Sequence, residues 1–166
     1  MKVYKRLGFT HMETAELVTN LNKLLSNYQV HYQKLRKFHW NVEGQDFFEL
    51  HELFEEEYNA VKVNIDEVAE RIRVFGKFPI ATMAGYLNVA EIEEVEKDLT
   101  SMEMVKEILN DFEILLTSMV EVTEAAEKIG DTGTYDLMAG FIKHLEQRHW
   151  MLNAWTKETK VSALAN

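Results

Sequence analysis

The sequence of 166 residues lacks cysteine and contains a single proline. Without cysteine there are no disulfides and no thiolate metal sites, so any bound metal is held by imidazole and carboxylate groups. Proline and glycine interrupt helices, and one proline with seven glycines leaves long stretches free of both. The composition therefore favours an all-α protein, and the length suits one domain over residues 1–166.

Long apolar runs and an excess of basic residues are also missing. No apolar run is long enough to cross a bilayer, and the stretch MKVYKRLGFTHM lacks the apolar core of a signal peptide. We therefore expect a cytoplasmic protein with no membrane partner, and leave association with the nucleoid open. The formal net charge of −10 repels nucleic acid unless basic residues form a local patch.

Four long segments carry apolar residues at the three- and four-residue spacing of a helix. The first begins with the capping-box pair Thr10 and Glu13 and runs to about Phe38. The second starts near Asp46 and ends before Gly76, a residue suited to terminating a helix. Both helices are long enough to form the sides of a bundle.

The third long helix begins at the capping-box residue Thr100 and ends at Gly130, and the fourth starts within residues 131–134. Residues 77–99 are too many for a simple loop, and Asn88 as an N-cap predicts a short helix there. Two short connections and one long crossover predict a ferritin-like four-helix bundle with this extra helix between helices 2 and 3. We expect short flexible tails at about residues 1–9 and 158–166.

The second helix carries four metal-ligand candidates on one broad face: His51, Glu55, Asp66 and Glu70. His51 and Asp66 are roughly 22 Å apart along the helix axis, whereas metal–ligand bonds are about 2 Å long. One straight helix therefore cannot bring these two residues to the same ion.

An antiparallel second copy of this helix removes the difficulty. His51 and Glu70 are equally distant in sequence from the point between Ala60 and Val61, and the same holds for Glu55 and Asp66. A two-fold axis at that point sets His51 opposite Glu70 of the partner and repeats the arrangement on the other side. The hypothesis is two equivalent sites per dimer. Each site takes its histidines, His39 and His51, from one chain and Asp66 and Glu70 from the other, with Glu55 at or beside the metal.

Each candidate also has an ordinary structural explanation. A histidine on a helix is commonly a hydrogen-bonded packing residue, and an acidic residue there commonly faces solvent. Glu70 next to Arg71 or Arg73 could form surface ion pairs, which contribute little. Spacing alone leaves both interpretations open.

The stretch KFHWNVEGQDFFELHELFEEEYNAVKVNIDEVAERIRVFGKFP strongly resembles the signature of the Dps family, the ferritin-like DNA-binding proteins from starved cells. The later GDTGTYDLMAGFIKHLEQRHWML resembles the last helix of that family. The resemblance implies that His39, His51, Asp66 and Glu70 form an intact ferroxidase site across the subunit two-fold. It also implies that Asp131 and Asp136 line the pores through which iron enters.

The activity implied by this resemblance is oxidation of Fe(II), preferably by hydrogen peroxide, with storage of ferric mineral in a hollow dodecamer built from two-fold dimers. Such a protein protects the cell from oxidative damage. Iron is the implied metal, with zinc as a substitute. Trp40, next to His39, is expected to pack or to bind a water near the site.

Three other functions stay open. The first is a DNA-compacting protein, although the few basic residues near the termini predict weak or absent DNA binding. The second is a ferritin-type di-iron centre within one bundle, for which only Glu146 and His149 have the required spacing. The third is a zinc-holding or purely structural dimer.

Overall fold

A computed structural model describes residues 8–157, which form five α-helices and no strand. The helices are α1 (Ala15–Asn41), α2 (Phe47–Val74), α3 (Met83–Val89), α4 (Ser101–Ile129) and α5 (Thr132–Trp155). Helix α1 packs against α2, α3 and α4, and α4 packs against α5. The prediction of an all-α chain with four long helices and a short helix in a long central crossover is confirmed.

The interior of the bundle is one continuous hydrophobic cluster. Four aromatic side chains, each exposing 1% of its surface or less, are among its largest members: Tyr28, Phe38, Phe54 and Phe112. They come from three of the long helices, so the cluster fixes the positions of α1, α2 and α4 relative to one another. The ends of α1 and α2 that carry the predicted metal ligands are held by this packing.

The predicted helix boundaries are largely confirmed, because local hydrogen bonds determine them. Thr100 and Glu103 form a complete capping box at the start of α4. Gly130 and Gly76 have φ angles of 71° and 73°, in the left-handed region that favours glycine at the end of a helix. Asp131 accepts a hydrogen bond from the amide of Thr134 at the start of α5.

Helix α1 differs from the prediction at both ends. Thr10 and Glu13 exchange the two capping-box hydrogen bonds, of 2.7 and 3.2 Å, but they do so in a turn before the regular helix begins at Ala15. At its other end the helix extends past Phe38 to Asn41. His39 therefore lies on the last turn of a regular helix.

The predicted position of the short helix is wrong. Helix α3 starts after Thr82, whose hydroxyl accepts a hydrogen bond from Gly85, and Asn88 lies in its last turn. The chain after α3 is not helical, and Asn27 of α1 accepts hydrogen bonds of 2.7 and 3.1 Å from the amides of Glu91 and Ile92 there. A tertiary contact, not a local cap, thus determines the conformation of this segment.

Among residues 8–157, no helix is both long and apolar enough to cross a membrane. The predicted flexible tails, at about residues 1–9 and 158–166, fall almost entirely outside the described residues.

Candidate metal centre

The candidate metal centre lies where the last turn of α1 meets the first turns of α2. The connection between the two helices is short, and Gly44 within it has a φ of 105°, which an L-residue adopts only with strain. This turn folds α2 back along α1. His39 and His51 are brought together as the sequence predicted, with their rings stacked 3.8 Å apart between centroids.

The two histidines fix each other through reciprocal hydrogen bonds. Nδ1 of His39 lies 2.8 Å from the carbonyl oxygen of His51, and Nδ1 of His51 lies 2.9 Å from the carbonyl oxygen of His39. A carbonyl oxygen only accepts, so both Nδ1 atoms must carry the proton. In a neutral ring each Nε2 is then a free lone pair, and a backbone hydrogen bond of this kind orients metal-binding histidines.

Glu55 completes a group of three potential ligands. One ligand atom from each of His39, His51 and Glu55 lies within 4.8 Å of the other two. His39 is buried, His51 is half-buried and Glu55 is exposed, so the group opens toward solvent on one side. Imidazole nitrogen with carboxylate oxygen is a donor set that suits iron and zinc.

Asp66 and Glu70 lie further along α2 and do not join this group. Both are exposed, on the same face of the helix as Glu55, Asn59 and Val63. Within the part of the chain that the structure describes, neither forms an ion pair, because Arg71 contacts Asp131 instead. Within one chain, the two histidines therefore lie apart from the acidic residues Asp66 and Glu70.

Tyr58 of α2 is a further site residue, although its sequence spacing fits the apolar stripe of the helix. Its hydroxyl donates a 3.2 Å hydrogen bond to Oε1 of Glu55, and its ring meets His39 edge-on with centroids 5.4 Å apart. Partial burial raises the pKa of Tyr58, and the bond to the Glu55 carboxylate raises it further. The signal in the sequence is the three-residue spacing from Glu55, which puts neighbours on one helix face.

Comparisons with known proteins identify the family of the chain. A family model described as a ferritin-like domain matches residues 18–161. The chain is 39% identical to DNA protection during starvation protein 2 of Bacillus anthracis, over 86% of this chain and 98% of that protein. It is 37% identical to the DNA protection during starvation protein of Porphyromonas gingivalis, over 93% of this chain and 97% of that protein.

Among solved structures, the Dps protein of Vibrio cholerae O1 superposes with a TM-score of 0.89 at 39% identity, covering 95% of this chain and 98% of that one. This chain belongs to the Dps family. Its fold is accordingly ferritin-like, as the helix pattern predicted. The Vibrio protein is described as a member of a broad superfamily of ferritin-like diiron-carboxylate proteins.

The two acidic residues expected at Dps pores differ in their surroundings. Asp131 is buried and accepts hydrogen bonds from the backbone amide and hydroxyl of Thr134 and, at 2.5 Å, from Nη2 of Arg71. Asp131 therefore caps α5. Asp136 is exposed on the next turn of α5. Neither belongs to a group of three ligands within residues 8–157, and their role in iron passage stays a prediction.

The other candidates are not drawn into a metal group. In residues 8–157 the only cluster of three or more histidine and acidic side chains at ligand spacing is that of His39, His51 and Glu55. Within these residues, Glu146 and His149 therefore lack the further ligands that a ferritin-type centre within one bundle needs. Trp40 is 58% exposed, and the guanidinium of Arg36 lies 4.8 Å from its ring centroid.

Proposed function

We propose that this Dps-family protein oxidises Fe(II) at sites shared between two subunits and stores the ferric product inside an assembly of identical chains. The observation that carries the proposal is the arrangement of His39 and His51. Their reciprocal hydrogen bonds engage both Nδ1 atoms and leave both Nε2 atoms for a metal, and Glu55 offers a carboxylate oxygen within ligand distance of both residues. A pair of packing histidines has no need of an acidic neighbour at ligand distance.

The second half of each site comes from an antiparallel partner. Asp66 and Glu70 lie on the exposed face of α2 that also carries Glu55. Val63, an apolar residue near the middle of this face, exposes 56% of its surface. Pairing two α2 helices about the point between residues 60 and 61 covers Val63. It also places Asp66 and Glu70 of the partner subunit at the histidine end.

The donor set explains why iron suits this site as a substrate. Neutral imidazole binds Fe(II), and hard carboxylate oxygens from both subunits stabilise the higher charge of Fe(III). Two Fe(II) ions give up one electron each, and hydrogen peroxide takes both electrons and two protons to become two water molecules. A two-electron reduction of this kind releases no hydroxyl radical. The protein residues bind and orient the metal, and the exposed side of the group admits water and oxidant.

The proposal extends to the assembly and the metal. It includes dodecamers built from two-fold dimers and hydrogen peroxide as the preferred oxidant. It also includes iron passage at pores lined by Asp136 and protection against oxidative damage. Zn(II) is proposed as a substitute occupant that blocks turnover, because it accepts the same ligands and has no redox chemistry.

DNA binding is the second candidate function, because two relatives are named for DNA protection during starvation. The charge of this chain argues against DNA binding as its main activity. Its formal net charge is −10, and an assembly of such chains repels the phosphate backbone. The terminal lysines Lys2, Lys5 and Lys160 lie outside the described residues. We propose weak or absent DNA binding at physiological salt, which a gel shift with plasmid tests.

The test of the proposed function is Fe(II) oxidation by hydrogen peroxide under anaerobic conditions, with the His39→Ala/Asp66→Ala double variant beside the wild-type protein. We expect the variant to lose the oxidation above the protein-free rate. Glu67→Ala is the matched control, because Glu67 is an exposed acidic residue next to Asp66 but off the site-bearing face. Anomalous scattering from a crystal soaked in Fe(II) should place iron between His51 and the partner subunit's Glu70. Undiminished oxidation by the double variant contradicts the proposal.

A further inference from the structure

Tyr58 touches both helices that build the histidine end of the metal centre. It lies one turn after Glu55 on α2, and its hydroxyl donates a 3.2 Å hydrogen bond to Oε1 of Glu55. Its ring stands at 81° to the ring of His39 on α1, with centroids 5.4 Å apart. Tyr58 therefore contacts one carboxylate ligand and one imidazole ligand while holding no metal-binding atom of its own in the group.

We propose that Tyr58 is the positioning residue of this centre, and that its hydroxyl holds the carboxylate of Glu55 in the orientation that binds metal. The inference rests on the proposed function, since it concerns the same site. It assigns to Tyr58 a role in metal affinity that is separate from its packing in the bundle.

The need for such a residue follows from the exposure of Glu55. His39 and His51 are fixed by their reciprocal backbone hydrogen bonds, whereas Glu55 is exposed and forms no ion pair within the described residues. An exposed glutamate samples several rotamers and loses that freedom when it binds a metal. A hydrogen bond that already restricts the carboxylate reduces this loss. With Oε1 engaged by Tyr58, the second oxygen stays available to the metal.

Tyr58 is itself held in place by its neighbours. Its ring meets the ring of Tyr32 edge-on at 6.0 Å, and the guanidinium of Arg36 lies 5.3 Å from the Tyr32 ring centroid. Together with the contact to His39, the Tyr58 ring therefore packs against two rings of α1. Because packing fixes the Tyr58 hydroxyl, its hydrogen bond restricts the position of the Glu55 carboxylate. Groups beyond the metal ligands tune metal sites in this way.

A simple packing role makes a different prediction, because packing depends on the ring and not on the hydroxyl. Tyr58→Phe keeps the ring between His39 and Tyr32 and removes only the hydrogen bond to Glu55. Tyr32→Phe is the matched control: it makes the same chemical change one ring further from Glu55. Comparing the two variants separates the effect of the hydrogen bond from the effect of the aromatic contact.

The experiment measures the affinity of the assembled protein for Co(II), a probe with a visible spectrum that reports its ligands. We expect Tyr58→Phe to weaken Co(II) binding by about 10- to 100-fold, the usual effect of removing a hydrogen bond to a metal ligand, and Tyr32→Phe to change it by less than about 2-fold. In a Glu55→Ala background Tyr58→Phe should have almost no further effect, because the carboxylate that it orients is gone. Thermal unfolding of each variant confirms the fold.

Three results overturn the inference: equal Co(II) affinity in Tyr58→Phe and wild type, an equal loss in Tyr32→Phe, or a persistent loss in the Glu55→Ala background. The proposed function fails by a different result, the absence of peroxide-dependent Fe(II) oxidation in the wild-type protein. Wild-type oxidation together with unchanged Co(II) affinity in Tyr58→Phe refutes the role of Tyr58 alone. Loss of oxidation in wild type leaves the Co(II) comparison able to decide the role of Tyr58.

Discussion

His39 and His51 stack with 3.8 Å between ring centroids, and each Nδ1 donates to the backbone carbonyl of the other residue. The two rings are thus fixed in tautomer as well as position before any metal binds. A preformed pair of ligands loses little conformational entropy when it binds a metal, which is the general advantage of preorganised sites.

The tautomer of these rings is directly measurable. In protein labelled with 15N in histidine only, solid-state NMR at about pH 8 should show protonated Nδ1 and bare Nε2 for His39 and His51. Zn(II) should then shift the two Nε2 resonances. His144, an exposed residue of α5, serves as the internal control and should not shift. Protonated Nε2 on either site histidine contradicts the assigned geometry.

A site shared between subunits predicts complementation. His51→Ala chains and Asp66→Ala chains each lack activity as pure assemblies, because every site then contains one defect. When the two chains are co-expressed, a mixed dimer carries both defects in one site and none in the other. Random pairing should therefore restore about a quarter of the wild-type Fe(II) oxidation rate, as isologous symmetry requires. No recovery in the mixed assembly would place all ligands of a site within one chain.

The helix boundaries that could be predicted from the sequence depend on contacts between residues three or four apart. The capping box of Thr100 and the left-handed glycines are of this kind, and the structure confirms them. The cap of α3 is also local, since Thr82 accepts from the amide of Gly85, but the non-helical segment after α3 could not be predicted in the same way. Asn88 has the right residue type for a cap. However, Asn27, far away in sequence, accepts hydrogen bonds from the amides of Glu91 and Ile92, and these two residues are not helical.

The candidate site likewise has some features that the sequence predicts and others that it does not. The spacing of the histidines about Gly44 predicted that His39 and His51 meet, because a turn between two helices brings their ends together. The stacking of the rings and the choice of Nδ1 as donor depend on side-chain rotamers, which spacing does not specify. The spacing of Tyr58 fits the apolar stripe of α2 and indicates packing, and the direction of its hydroxyl follows only from three-dimensional contacts.

Substitutions of the two acidic residues at the start of α5 should have different effects on stability and on iron uptake. Asp131→Asn weakens the cap of α5 and the 2.5 Å contact with Arg71, so we expect a loss of about 1–3 kcal/mol in the free energy of unfolding. Asp136→Asn should leave stability within about 0.5 kcal/mol, because Asp136 is exposed. If Asp136 lines the route of iron, its variant should slow iron uptake at low Fe(II). Urea titration and uptake rates measure the two effects, and equal stability losses would contradict this division.

A buried ion pair between α1 and α4 should be sensitive to the loss of one partner. Asp111 accepts hydrogen bonds of 2.8 Å from Nδ1 of His31 and 2.7 Å from Nζ of Lys34, and all three side chains are buried. Asp111→Asn removes the buried charge that Lys34 contacts at 2.7 Å and leaves it only the more distant Glu107, so it should cost about 3–5 kcal/mol in the free energy of unfolding. Glu107→Gln, a half-buried group 3.8 Å from the same lysine, should cost at most about 1 kcal/mol. Urea unfolding at equal protein concentration compares them, and similar losses would show that burial of the pair is unimportant.

Asn27 should determine whether the crossover after α3 stays on the bundle. Its side chain is fully buried, accepts from the amides of Glu91 and Ile92, and donates to the hydroxyl of Ser118 at 3.1 Å. Asn27→Ala leaves these groups unpaired, at about 1–3 kcal/mol for each buried one. Amide hydrogen exchange should show lost protection at residues 91 and 92. The matched control is Asn22→Ala, whose lost partner is the amide of Ile80, so its loss should appear at residue 80 and not at 91 or 92. Unchanged protection at residues 91 and 92 in Asn27→Ala would mean that packing of the crossover, and not this side chain, holds the segment in place.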